Sequence, residues 1–280
     1  MNLILQGLTT DAMTIERIAA LAGSAHVVAT AENVWRCDGA DHSDKTRAAI
    51  DRACLDAALD YAFVPEGRAL ADFKLLVMDM DSTLITIECI DEIADMQGLK
   101  PQVSAITESA MRGEIEFRES LTRRVALLEG LDASALQRVY DERLQLSPGA
   151  ETMLAGIQAA GLKTLLVSGG FTFFTDRMKS RLSLDQTHSN VLEIAAGKLT
   201  GKVVGGIVDA KEKKDCVLRL CDAMGISPDQ AIVMGDGAND LAMMGIAGLS
   251  VAFRAKPVVR AKADVALNFV GLDGILALFK

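Results

Sequence analysis

Four apolar residues in succession, Leu75-Leu76-Val77-Met78, run directly into Asp79-Met80-Asp81-Ser82-Thr83. An unbroken apolar run predicts a strand buried on both faces, as in a parallel sheet covered by helices. Unpaired carboxylates are too costly to keep in such a core, so Asp79 and Asp81 must emerge where the strand ends. The pattern recurs twice. Lys163–Val167 ends in Ser168-Gly169-Gly170, and Ala231–Met234 ends in Gly235-Asp236-Gly237-Ala238-Asn239-Asp240. Leu249–Phe253 and Val265–Phe269 complete the expected sheet. In a parallel sheet the three polar clusters share the edge where ligands bind, so they can converge on one ligand.

The remaining periodicities fill in the architecture. Residues up to about 70 alternate as strand Asn2–Leu8, helix Met13–Ala22, strands His26–Ala31 and Val34–Asp38, helix Lys45–Ala58 and strand Tyr61–Val64. This βαββαβ order is the ferredoxin-like split arrangement and resembles a small ACT-type regulatory domain, with Pro65-Glu66-Gly67 as its linker. Residues 88–146 contain no strand-like run and predict helices Glu88–Gln97, Gln102–Arg112, Phe117–Glu129 and Ala133–Leu144, with Gly98, Gly113 and Gly130 at their stops. Helices Ala150–Ala160, Phe171–Leu182 and Lys211–Met224, and an antiparallel hairpin within Asn190–Val208, complete the pattern. The expected fold class is α/β: a Rossmann-like parallel core of residues 71–84 and 147–280, a helical cap of residues 85–146, and an N-terminal α+β domain of residues 1–70.

Composition narrows the function. Half of the 280 residues are hydrophobic, enough for a large core. A formal net charge of -9 argues against nucleic acid, and means that an anionic substrate needs locally placed cations. Cys37, Cys54, Cys89, Cys216 and Cys221 form no C-x-x-C pair and are odd in number, which fits reduced, mostly buried thiols. The N-terminal residues have neither a basic region nor a long apolar run, so the expectation is a cytoplasmic protein with no membrane partner.

Carboxylates arriving on separate loops suit the hard, oxygen-only preference of magnesium. His26, His42 and His188 are too scattered to make a zinc site. Ser168 and the amides of Gly169 and Gly170 offer donors to anionic oxygens, and Lys213 near a helix start adds a positive charge. Together these make a phosphoryl-transfer site, in which Asp79 can attack phosphorus and Asp81 can move protons at the leaving oxygen and the incoming water.

Asp79-Met80-Asp81-Ser82-Thr83, Ser168-Gly169-Gly170, Lys213 and Gly235-Asp236-Gly237-Ala238-Asn239-Asp240 resemble, in order, the four motifs of the haloacid dehalogenase superfamily of phosphatases. The resemblance covers roughly residues 74–280. It implies Asp79 as nucleophile, Asp81 as acid and base, and Mg2+ held by Asp79, Asp236 and the main-chain carbonyl of Asp81, with Asp240 in support. Within the superfamily the chain is similar to the branch acting on O-phosphoserine. That likeness implies Glu88 for the substrate ammonium, Arg124 for its carboxylate, Met111 and Phe117 as apolar closers, and Ser168, Gly169, Lys213 and Asn239 as phosphate and substrate contacts. The implied activity is magnesium-dependent hydrolysis of O-phosphoserine through an aspartyl-phosphate, the last step of serine biosynthesis, with the cap acting as a lid. Phosphotransfer to, or hydrolysis of, another small phosphorylated amino alcohol is the alternative. A non-catalytic sensor is a reading from another class, opposed by the intact Asp79, Asp81, Lys213 and Asp236. Serine regulation and homodimerisation are the expectations for the N-terminal domain.

Each residue also has an ordinary reading. Lys213 stands in Lys211-Glu212-Lys213-Lys214, a run that normally faces solvent, and Arg124 stands beside Arg123 on a helix of mixed polarity. Glu88 would serve equally as a helix cap, and Met111 and Phe117 as core of the insert.

Overall fold

The computed structural model describes residues 1–111 and 114–279, with only the backbone of Met111. Strand β1 (Asn2–Gly7), helix α1 (Ala12–Leu21), strands β2 (His26–Ala31) and β3 (Val34–Asp38), helix α2 (Asp44–Asp56) and strand β4 (Leu59–Val64) give the expected βαββαβ order. Asp11 and Ser43 start the two helices by accepting the Thr14 and Thr46 amides. The four strands are antiparallel neighbours in the order β2-β3-β1-β4.

Strand β5 (Leu75–Met78) then leads into helices α3 (Cys89–Asp95), α4 (Lys100–Met111), α5 (Phe117–Ala126) and α6 (Ser134–Glu142). The predicted end of α4 at Arg112 and the stop at Gly113 lie outside the described residues. Helix α7 (Ala150–Ala159), strand β6 (Lys163–Phe171), helix α8 (Thr172–Leu182), strands β7 (Gln186–Ala195) and β8 (Lys198–Val204), and helix α9 (Ala210–Met224) follow. The chain closes with β9 (Ala231–Gly235), α10 (Leu241–Met244), β10 (Leu249–Phe253), α11 (Pro257–Arg260), β11 (Val265–Leu267) and a 3-10 segment, Leu272–Phe279.

Among the described residues eleven strands form one sheet, β2-β3-β1-β4-β11-β10-β9-β5-β6-β7-β8. Strand β5 lies between β9 and β6 and is parallel to both, so the three polar strand ends stand side by side. Alternation along β5 sends Leu76 and Met78 to the core beneath the cap, and Leu75 and Val77 to the core beneath α9 and α10.

Two features depart from the periodicity. Strand β6 does not stop at Val167 but bulges through Ser168, Gly169 and Gly170, pairing again with β7 at Phe171. The N-terminal unit does not hang from a linker. Strand β4 pairs with β11 at Tyr61 and Ala266, and Ile4, Ala62 and Val64 join the main hydrophobic core. Asp60 accepts the backbone N–H groups of Asn268, Phe269 and Val270 at 2.8–3.0 Å, fastening the end of β11 to the N-terminal unit.

The helical insert is held at both ends. Its entry and exit strands form a bridge at Ile85 and Leu146, and the α5–α6 connection exchanges backbone bonds with the β7–β8 hairpin. No helix among the described residues is long and apolar enough to cross a membrane.

Candidate active site

Asp79 leaves β5 with its amide bonded to the Met234 carbonyl of β9 at 3.0 Å. Its Oδ1 accepts the Met80 amide at 2.7 Å, and its Oδ2 meets Lys213 Nζ at 2.8 Å. Lys213 lies wholly buried on the first turn of α9, whose start is fixed by Asp209 accepting the Glu212 amide. The same ammonium reaches Asp240 Oδ1 at 2.7 Å, while Asp240 Oδ2 accepts the Gly237 amide. Gly235 is required here, because a Cβ would stand 2.4 Å from Asp240 Oδ2. The surface reading of Lys213 therefore fails. Lys211 is the solvent-facing member of the run and pairs with Asp215.

Burial and the Asp240 charge push the Asp79 carboxyl well above the usual aspartate range, against the pull of Lys213. Burial alone would lower the Lys213 ammonium, but Asp240 and Asp79 hold it above its ordinary value. Asp236 is pushed up to about 6 by burial and by Asp240. Carboxylate oxygens of Asp79, Asp236 and Asp240 approach within 4.8 Å of one another, with Lys213 the cation bonded among them. A hard divalent cation is the group this oxygen-only set would accept, since one ammonium leaves two negative charges uncompensated.

Asp81 turns away from this cluster. Its Oδ1 accepts the Cys89 amide at the start of α3, and its Oδ2 is packed so closely on Gly170 that a Cβ there would stand 2.7 Å away. Burial first, then the neighbouring Glu88 charge, push its pKa up to about 7. Ser82, at a left-handed φ of 56°, donates from Oγ to Glu88 Oε1 at 2.6 Å and so ties the loop to the cap entrance.

Across the strand ends, Ser168 Oγ is buried and accepts the Gly170 amide at 2.8 Å, which engages one donor expected for an anion. The Gly169 carbonyl is held by Asn190 Nδ2 at 2.7 Å, and a Cβ at Gly169 would lie 3.2 Å from the Phe117 ring. Over this floor lies a cavity of about 410 Å³, lined among others by Asp79, Asp81, Glu88, Phe117, Arg124 and Asn239. Ser168 and Lys213 sit behind its floor, and the Met111 side chain lies outside the described residues. Arg124, half-buried, directs Nε to the Ser120 carbonyl at 3.4 Å, whereas Arg123 points outward to Glu119. Burial lowers the Arg124 pKa against the opposing pull of Asp91, Glu88 and Asp81.

The periodicity passed over five contributors. Ser120 and Leu121 share the cavity face of α5 with Phe117 and Arg124, which a helical projection of the sequence would have shown. Asn190, buried and holding the Gly169 carbonyl, and Lys256, which lines the cavity, carried no signal in their neighbours. Arg118 joins the cap to the core through Asp209 at 2.6 Å.

Residues 73–248 match the family model of haloacid dehalogenase-like hydrolases. A phosphoserine phosphatase of Polaromonas sp. is 58% identical over 216 residues, covering 75% of this chain and 92% of the relative. One from Idiomarina loihiensis is 50% identical over 206 residues, 74% of this chain and 93% of its own. The crystal structure of a haloacid dehalogenase family hydrolase from Salmonella enterica serovar Typhi superposes with a TM-score of 0.91 at 33% identity, covering 100% of this chain and 99% of that one. The unliganded probable phosphoserine phosphatase of Vibrio cholerae gives 0.84 at 36% identity, with 99% and 86% covered. With its motifs on adjoining strand ends and the family match spanning most of core and cap, this chain belongs to the haloacid dehalogenase-like hydrolases.

Proposed function

We propose that this enzyme hydrolyses O-phosphoserine to serine and phosphate through an aspartyl-phosphate on Asp79, with magnesium as its metal. The observation that carries the reading is one cavity with two chemically distinct ends. Asp79 and Asp236 lie at the strand ends, while Glu88 and Arg124 lie on the cap side. A substrate with a phosphate at one end and an ammonium and a carboxylate at the other matches that division. The names borne by the relatives agree with it.

Asp79 attacks phosphorus with one carboxylate oxygen, forming the acyl-phosphate bond as the bond to the seryl oxygen breaks. Asp81 gives its proton to that oxygen from Oδ2, the carboxylate oxygen packed on Gly170. A pKa near 7 keeps the acid form populated at neutral pH. Asp81 then takes a proton from the water that attacks the phosphoaspartate, releasing phosphate and restoring the Asp79 carboxylate and the acid form of Asp81. Lys213 holds Asp79 in line and offsets charge on the phosphoryl oxygens, assisted by Ser168 and the Gly169 amide of the bulge. Asp79, Asp236 and the main-chain carbonyl of Asp81 would hold the magnesium, with Asp240 behind them, and the ion would supply further charge stabilisation for the phosphoryl group. Glu88 takes the substrate ammonium and Arg124 its carboxylate, with Phe117 closing over the chain and Asn239 beside the phosphate, and the family resemblance gives Met111 the same closing role.

We also propose the three-part division: an ACT-like unit of residues 1–70 that regulates by binding serine or joins two copies, the core, and the cap. Serine synthesis in the cytoplasm is the corresponding role. Phosphate release from a panel of phosphorylated amino acids and amino alcohols, with magnesium and with chelator, tests the activity. O-phosphoserine should be preferred and chelator should abolish release. Preference for a substrate without ammonium and carboxylate would overturn the reading.

A further inference from the structure

Ser120 lines the cavity, and the proposed reaction leaves its hydroxyl unused. It sits on α5 between Phe117 and Arg124, three residues from the first and four from the second, so all three share one helix face. The residue is 1% exposed, and among the described residues its Oγ is buried without a hydrogen-bond partner. Orphaned hydroxyls are rare in folded proteins, and one in the wall of a ligand cavity marks a place where a ligand supplies the missing partner. Ser120 is also the residue whose carbonyl receives Arg124 Nε, so its hydroxyl and the guanidinium issue from the same turn. The same cavity is lined by Glu88 and Asp81, which disfavour any anion not held by local donors.

We infer that Ser120 is a specificity-determining residue whose hydroxyl donates to the substrate carboxylate alongside Arg124. This inference rests on the reading of O-phosphoserine as substrate. An arginine alone holds a carboxylate by charge. A hydroxyl one turn away adds a directional donor, and a site built to bond an oxygen penalises analogues that lack it. The unpartnered Oγ is then the mark of a site awaiting its ligand.

The test compares native enzyme with Ser120→Ala on O-phosphoserine and on O-phosphoethanolamine, which keeps the phosphate and ammonium but lacks the carboxylate. Binding is read as KM or, for a compound that is not turned over, as its inhibition constant. Losing a hydrogen bond to a charged group predicts a KM for O-phosphoserine raised on the order of tenfold with kcat little changed. Binding of O-phosphoethanolamine should stay within about twofold, because it never met the hydroxyl. Thermal unfolding verifies the fold of the variant, and Ser120→Cys, of similar size with a weak donor, should fall with alanine rather than with serine. Unchanged KM for O-phosphoserine, or equal loss on both compounds, overturns the inference while the substrate reading stands. Native enzyme inactive on O-phosphoserine overturns the substrate reading, and this inference with it.

Discussion

Asp60 and Asp79 are both buried carboxylates, and the protein treats them in opposite ways. Asp60 is saturated by neutral donors of the chain: three backbone amides of residues 268–270 and Asn268 Nδ2 at 3.3 Å. Even so, burial raises its pKa. It borders a cavity of about 460 Å³, yet it is itself 0% exposed, and among the described residues no second carboxylate belongs to its hydrogen-bond set. Asp79 receives one amide and one shared ammonium, beside Asp236 and Asp240, at the floor of a cavity. Burial alone therefore does not mark a reactive carboxylate. The mark is charge that the fold gathers and leaves short of compensation, in a place a ligand can reach.

The comparison can be broken most severely at Lys213. Lys213→Met leaves Asp79 and Asp240 facing each other without their cation. Removing one partner of a buried charge network costs about 3–5 kcal/mol, and phosphate release should vanish as well. Denaturant midpoints with and without magnesium measure the first effect, and turnover the second. A variant that keeps native stability and turnover would show that the lysine supports neither the fold nor the chemistry.

At the other carboxylate the expected outcome is loss of stability without loss of chemistry. Asp60→Ala strips the partner from three backbone amides where β11 meets the N-terminal unit. The destabilisation should be about 1–3 kcal/mol, with kcat per folded molecule unchanged. A variant of native stability and low kcat would mean that Asp60 communicates with the site.

An exposed carboxylate sets the small end of the scale. The hydroxyls of Thr46 and Ser43 hold Asp41 down to about 2, below the ordinary 3.8. Because the folded value is the lower one, the stabilisation is complete above pH 3.8 and is lost as pH falls toward about 2. Asp41→Asn should flatten that part of the thermal-midpoint profile and leave activity at neutral pH unchanged. An identical acid profile would show that the bonds contribute nothing.

The sequence made the site's chemistry legible because its strands are short, apolar and abruptly polar at their ends. The Asp79 and Asp236 loops could be placed on one edge before any coordinate, and strands β5 and β9 put them there. What stayed hidden depends on phase and distance. Within Lys211-Glu212-Lys213-Lys214, composition does not say which lysine turns inward; the cap at Asp209 sets the helix phase and buries Lys213. The pair Gly169-Gly170 reads as a turn, yet becomes a bulge because β7 continues the pairing on the far side. Asp60 looks like one polar residue in a strand, and its partners lie more than two hundred positions away. Ser120 is unremarkable in any helix until the cavity beside it is known.

The account stands most directly on Asp79. Asparagine keeps the size and one acceptor oxygen of the side chain but cannot form an acyl-phosphate by simple attack. Phosphate release by Asp79→Asn, measured together with its unfolding midpoint, should be absent from a protein that still folds. Near-native turnover by that variant would contradict the assignment of Asp79 as the group that bonds to phosphorus.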